Sequence, residues 1–491
     1  MITTPDALDA RTSRRLRDLL PGLGAAFDEP RMRQVLQTAL LGDAAHGSVI
    51  ERCEREHAVF VPDQRCVLRY TIEVREPGGG LIGPALVSVR LFPSAHAARE
   101  HLDSCLRPLA AAMRGRDEIT SFATPAAVVE ALCLTASLFP IDGDLPALVR
   151  ATDPAAMLEV LRETLVGPNG RPFAPTRCRV EVAHYPRQHH CVLRYALENG
   201  DASHPLIVYG KLAGDDRGAV TMAAVPELRA RLQRGRTRAF TVPRALGLVE
   251  PLRLVLLEAI AGAPRISQLL KQRLVAGAQA RDTRALEESV DWAATVAAGL
   301  HSSGVKHGRK RELEQELDEM YAGLAVLERV SPELGDEFRA WLADVKACTS
   351  SSEPWPACFS HGDFSPSQIF FSGDECALID FDTICQAEPM LDLGQFLSYL
   401  RLTARKAGGA KTAEGRELTE RLCERFVDGY IRDRGFGPEH ERRLRERILP
   451  YEMLSLLRLV LHSWRKFKRE RLELVIGVIR ERLPALARGS S

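Results

Sequence analysis

Apolar and polar positions change their period several times along the chain, and each change predicts an element. Residues 10–42 carry apolar side chains at helical spacing in "SRRLRDLL" and "EPRMRQVLQTALL", separated by the punctuation "LPGLG". The alternating stretch "QRCVLRYTIEV" (64–74) predicts a strand. A triple-glycine turn follows, and "LIGPALVSVRLF" (81–92) predicts a second strand. An amphipathic helix is expected over 94–113 and a further strand over 131–140. "DPAAMLEVLRETLVG" (153–167) opens on Asp153 as an N-cap and closes on glycine, which predicts a helix.

Much of this pattern then recurs. "CRVEVAHYPRQHHCVLRYALENG" (178–200) repeats the pentapeptide Cys-Val-Leu-Arg-Tyr, at Cys191–Tyr195 against Cys66–Tyr70. After each copy a second strand ends in a basic residue, Arg90 in "VSVRLF" and Lys211 in "IVYGKLA", followed by a polar turn and a helix. The shared order points to a decayed duplication. Cys66 and Cys191 lie inside the strands and read as buried packing residues. An apolar run over 244–266 predicts a buried strand, and from there the period is mainly helical, with long helices expected over 289–305, 311–330, 417–435 and 450–467. The division expected is a cap over 1–170, a β-rich lobe over 171–262 and a helical lobe over 263–491.

Totals change the picture little. A chain of 491 residues exceeds a single core, so two or three domains are expected. A formal net charge of +1 gives no support for a nucleic-acid or membrane partner. No apolar signal core opens the sequence and no stretch has the length and apolarity of a membrane span, so a cytoplasmic protein is expected. The eleven cysteines are scattered without a CxxC pair, which points away from a disulfide framework or a structural zinc site.

The helical part is interrupted by "CFSHGDFSPSQIFFSGDECALIDFDTICQAEPMLDLG" (358–394), short strand-like runs around a polar loop. Asp363 on that loop is a candidate general base, and His361 stands two residues before it. Gln368 and Asp380 are hard oxygen ligands of the kind Mg2+ takes, because that ion pairs one or two protein oxygens with phosphates and water. One carboxylate to receive a hydroxyl proton and another beside a metal-bound phosphate is the equipment of phosphoryl transfer. Lys211, at a strand end, suits the nucleotide phosphates.

These residues resemble the aminoglycoside phosphotransferase and choline kinase family, relatives of the protein kinases. Its signature is His-Gly-Asp, Asn five residues later, a strand ending Ile-Asp-Phe, and then Asp-Pro and Asp-Leu. His361-Gly362-Asp363, Ile379-Asp380-Phe381 and Asp392-Leu393 match it. The resemblance covers about residues 175–491 and looks like the maltokinase-like branch, which has an N-terminal cap. It implies an α+β, bilobal protein-kinase-like fold, with a β-rich N-lobe, a mainly α C-lobe and a cap that partly repeats the N-lobe. It also implies ATP and Mg2+ as cofactors and a small-molecule hydroxyl acceptor. Asp363 would be the base, Asp380 and Gln368 the metal ligands, Lys211 the phosphate clamp, and Asp392 the brace of the loop. The helix around His301 would precede that loop, and Glu258 to Ile260 would form the hinge that receives adenine.

Three departures stand out. Gln368 replaces the usual Asn, Asp382 replaces the usual Gly after Asp-Phe, and the glutamate that pairs with the lysine has Glu227 as its nearest candidate, beside Pro226, a residue expected to break the following helix. Residues 452–482 are rich in Arg and Lys, which points away from a polycationic aminoglycoside and toward a sugar or an anionic acceptor. An aminoglycoside kinase and a nucleotide-binding scaffold without turnover are the alternatives.

Overall fold

The computed structural model describes residues 10–42, 47–61, 65–165, 175–187, 190–199, 205–234, 240–276, 280–350 and 353–489. Two five-stranded antiparallel sheets come first. The first contains β1 (Val49–Val61), β2 (Arg65–Arg75), β3 (Leu81–Leu91), β4 (Ala126–Val129) and β5 (Leu134–Leu138), in the order β1-β2-β3-β5-β4. The second contains β6 (Arg177–Arg187), β7 (His190–Glu198), β8 (Leu206–Ala213), β9 (Ala245–Val249) and β10 (Leu254–Glu258), in the order β6-β7-β8-β10-β9. The strand order is therefore the same in both.

The likeness extends to single hydrogen bonds. Tyr70 and Tyr195, the last residues of the two pentapeptides, are fully buried and donate their hydroxyls to the carbonyls of Ala26 and Ala151, 44 residues upstream in each case. Asp28 and Asp153 cap the helices that follow those alanines: Asp28 accepts from the Arg31 amide, and Asp153 from Ala155 and Ala156. In each copy a 3-10 turn before the last long strand ends on a left-handed residue, Cys133 or Arg253, both with φ 49°. The apolar run over 244–266, expected as one strand, is thus the antiparallel pair β9 and β10 folded about that turn.

Packing moves the expected division near 170, which itself lies outside the described residues. Met157 and Leu161 of helix Pro154–Thr164 share a core with Leu193, Tyr195 and Leu254, so this helix goes with the second sheet. The helices before β1 cover the first sheet in the same way: Leu23, Met32 and Leu36 pack with Leu68 and Tyr70. That core continues into the end of the chain, through Met453, Leu457, Trp464 and Val475. Phe27 meets Phe467 edge-on with ring centres 5.0 Å apart, and Phe60 meets Trp464 at 5.8 Å. Trp464 is 3% exposed, so Trp464→Ala is expected to cost about 3–5 kcal/mol in a denaturation experiment, through lost transfer energy and a cavity between cap and helices.

The rest of the chain is mainly helical. Helices Ala280–Ser302, Met390–Lys406 and Ala413–Arg434 enclose a third core that includes Phe364, Phe396 and Phe426, with the last two rings stacked at 4.1 Å. Helix Arg217–Arg234 runs unbroken through Pro226, contrary to the expected break. Among the described residues no helix is long and apolar enough to cross a membrane.

Candidate active site

Strand Cys358–Ser360 delivers the chain to His361, and the hairpin Ile369–Ser372/Glu375–Leu378 carries it on to Asp380. Gly362 makes the turn between them possible. Its φ is +77°, and a Cβ there would lie 2.2 Å from the Thr383 carbonyl oxygen, closer than any side chain tolerates. The loop is braced from below by Asp392, in the first turn of helix Met390–Lys406 and 0% exposed. Its carboxylate accepts from the backbone amides of His361 at 2.7 Å and Gly362 at 2.8 Å, and from His301 Nε2 at 3.1 Å. Arg434 donates to the Tyr430 hydroxyl at 3.3 Å, which leaves that hydroxyl to donate to His301 Nδ1 at 3.0 Å. Burial pushes the Asp392 carboxyl up, yet the His301 hydrogen bond, the His301 and His361 side chains and the His361 amide together hold it below the usual range.

His361 is consumed by this architecture. Its Nε2 lies 2.9 Å from the Ile379 carbonyl, which only accepts, so the proton is on Nε2 and Nδ1 receives the Asp363 amide at 3.3 Å. The imidazole, 0% exposed, ties the loop to the strand before Asp380. It therefore ties the loop in place through hydrogen bonds. Asp363 is held by a residue that no motif marked: the Gln395 side chain donates to Asp363 Oδ1 at 2.8 Å and accepts from the Phe364 amide at 3.1 Å.

Across from this loop, Lys211 reaches down from β8 between two carboxylates. Its Nζ bonds Asp380 Oδ1 and lies 3.0 Å from Asp382 Oδ1, while Gln368 Nε2 donates to Asp380 Oδ2 at 3.1 Å. His190, at the start of β7, approaches Asp382 at 3.2 Å. Asp380 itself sits in the left-handed region at φ 72°, which turns its carboxylate toward the lysine and away from the strand direction. Burial lowers the Lys211 ammonium, but Asp382 and Asp380 more than offset it and hold it above the ordinary lysine range. Burial raises Asp382 in turn, and Lys211 with His190 draws it well below the ordinary carboxylate range. Thus Lys211, Asp380 and Gln368, placed far apart in sequence, share one site.

Glu227 does not join them. Its carboxylate pairs with Arg231 at 2.6 Å and with His307 at 3.0 Å, while Lys211 is paired with Asp380 and Asp382 instead. Glu258, at the end of β10, is turned to Arg244, whose Nε lies 3.0 Å from it. Half-buried Ile260 lies just beyond, in a segment that Ala263 ties to Phe371 by two backbone hydrogen bonds of 3.2 and 3.1 Å. The expected hinge is thus anchored to the hairpin that carries Asp380. A cavity of about 430 Å3 opens beside Asp382, lined by Asp215, Arg217, Arg311 and Thr383 among others.

Four arginines of the basic run over 452–482 are engaged in ion pairs. Arg458 bonds Glu316, Arg469 lies 2.8 Å from Glu473, Arg480 2.9 Å from Glu337, and Arg482 3.1 Å from Glu452.

Residues 213–446 match the model of the phosphotransferase enzyme family. Among solved structures, a choline/ethanolamine kinase family protein from Mesorhizobium loti is 17% identical with a TM-score of 0.41, over 67% of this chain and 99% of that one. A choline kinase from Cryptosporidium parvum is 11% identical with a TM-score of 0.46, over 68% and 94%. A glucosamine kinase is 15% identical with a TM-score of 0.47, over 88% and 94%. No curated protein sequence matches the chain significantly.

Proposed function

We propose that this chain, which carries a phosphotransferase-family match over residues 213–446, moves the γ-phosphate of ATP to a hydroxyl of a small molecule, a sugar or sugar derivative. The observation that carries the reading is the meeting of Lys211 with Asp380 and Asp382 across from the Asp363 loop. Asp363 takes the acceptor's hydroxyl proton, and the Gln395 amide on its Oδ1 keeps the carboxylate oriented for that. Lys211 holds the α/β-phosphates, and the backbone near Glu258 and Ile260 receives adenine. His361 and Asp392 hold the loop in place.

The residues present fit a divalent cation. Asp380 and Asp382 converge on the Lys211 ammonium, so the site already favours positive charge between its two carboxylates. Gln368 turns its amide nitrogen to Asp380, so its oxygen joins a metal set only after the amide rotates. When bound, Mg2+ would offset charge on the triphosphate and its transition state.

The acceptor follows from charge. The buried acids Glu316, Glu388 and Glu452 are each matched by arginine, Arg311, Arg447 and Arg401 respectively. In the basic run Arg458, Arg469, Arg480 and Arg482 are matched by acids as well, so a polycation finds no complementary surface in these groups, and a neutral polyhydroxylated acceptor fits best. Glucosamine was bound in a solved complex of the kinase of that name; its amine makes it the informative contrast with neutral sugars.

Calorimetric titration with Mg-ATP, followed by a screen of ATP consumption across sugars, amino sugars, aminoglycosides and amino alcohols, tests the reading. Turnover stimulated by a neutral sugar supports it. Tight nucleotide binding with no acceptor-stimulated turnover favours instead a scaffold whose lysine stays locked on its aspartates. Lys211→Ala is expected to weaken Mg-ATP binding about tenfold or more, read as Kd in the same titration.

A further inference from the structure

The segment that leaves the first sheet repeats the chemistry of the active site. After β5 the chain reads Ile141-Asp142-Gly143-Asp144, the same Ile-Asp-x-Asp as Ile379-Asp380-Phe381-Asp382. These acids face basic residues at the positions of the nucleotide clamp. Arg90 pairs with Val67 in the β2–β3 ladder, as Lys211 pairs with Val192 in the β7–β8 ladder, and both valines belong to the repeated pentapeptide. Arg65 and His190 each precede the cysteine that opens it.

The contacts correspond as well. Arg90 grips Asp144 with both terminal nitrogens, Nη1 at 3.2 Å, and lies 3.9 Å from Asp142. Arg65 stands 3.9 Å from Asp144, where in the second sheet His190 stands 3.2 Å from Asp382. Arg90 and Asp142 are 6% and 5% exposed. The first sheet is thus a copy of the clamp with the chain's own connector seated in it.

The connector also touches the second sheet. Asp142 accepts the hydroxyl of Tyr185, a buried residue near the end of β6. The Arg69 guanidinium lies over the Tyr185 ring at 3.2 Å from its centre, and Phe139 meets the ring edge-on at 5.3 Å. Two residues beyond Tyr185, Arg187 pairs with His190 in the ladder, and His190 faces Asp382, the partner of Lys211.

We infer that Asp142 and Tyr185 are positioning residues for nucleotide binding: the connector, locked in the first sheet by Arg90, holds the end of β6 so that His190 stays against Asp382 and Asp382 against Lys211. This rests on the kinase reading above. The cap is then a self-liganded clamp that serves the working one.

A double-mutant cycle on the full chain tests it. Tyr185→Phe removes only the hydroxyl and retains the ring's packing, so folding is preserved. We expect it to weaken Mg-ATP binding about threefold to tenfold by calorimetry, with His190→Ala giving a similar loss. The double variant is expected to be no weaker than the weaker single one. Asp142→Ala, which removes the acceptor of the Tyr185 hydroxyl, is expected to reproduce the Tyr185→Phe loss. A lowered Tm with unchanged Kd in Tyr185→Phe overturns the inference, because a purely structural hydroxyl behaves that way. So do losses that add in the double variant. Absence of ATP and ADP binding by the unaltered protein sinks the kinase reading itself, and this inference with it.

Discussion

Replacing Asp363 with alanine is expected to lower kcat for phosphoryl transfer by about 10²–10⁴-fold, the usual share of a positioned general base. Mg-ATP affinity should stay within about threefold, because the nucleotide-facing groups assigned above, Lys211, Asp380 and Asp382, hold one another without Asp363. The separation of the two effects is what the geometry demands. Asp363 Oδ1 is engaged by Gln395, and the loop around it is held by Asp392 and His361, so truncating the carboxylate removes a proton acceptor without freeing the loop. Steady-state kinetics with the best acceptor from the screen, beside calorimetry with Mg-ATP, read the two quantities separately. Turnover equal to that of the unaltered protein would reject Asp363 as the base. Gln395→Ala should act in the same direction and more weakly, since it frees the carboxylate to rotate without deleting it.

How much of this was legible before the structure depends on whether a signal is local. Asp363, Asp380 and Asp392 lie within 30 residues of one another in recognisable strings, and the structure laces them together through His361 and Gly362. The duplicated pentapeptide was legible too, and it led to the basic residues Arg90 and Lys211. By contrast, β1 alternates between buried positions and charged ones such as Glu51, Glu54 and Glu56, with two register shifts, so its period is blurred. The partner of Lys211 was misread because sequence order favours a glutamate on the next helix. In the folded chain Glu227 is drawn aside by Arg231 and His307, and an acid 171 residues downstream takes the place. The basic run at the end misled for a related reason. Composition counts charges but not partners, and Glu316 stands 142 residues from Arg458. The helix that Asp153 opens follows the first repeat in sequence, but its Met157 and Leu161 pack with the second sheet, a contact no local signal marks.

Asp392→Ala is expected to be the most destabilising single change in the site, by about 3–5 kcal/mol, since it leaves buried partners without their anion. Three donors converge on that carboxylate: the amides of His361 and Gly362, and the His301 ring. Alanine offers them nothing and no water-filled space replaces it, because Asp392 is fully enclosed. The acid dependence follows from the same contacts. Because the folded carboxyl is held below its ordinary value of about 3.9, the stabilisation it provides is fully present above that value and is lost as pH falls through the lower folded one. Denaturant titrations should therefore show a constant gap between the unaltered protein and Asp392→Asn from about pH 5 to pH 8, narrowing below about pH 4. Asparagine keeps one acceptor oxygen for the loop but presents an amide N–H2 where the other oxygen receives a donor, so it should recover only part of the loss. A gap that persists unchanged into acid would mean that the ionised form of Asp392 contributes nothing, and that the loop is held by shape alone.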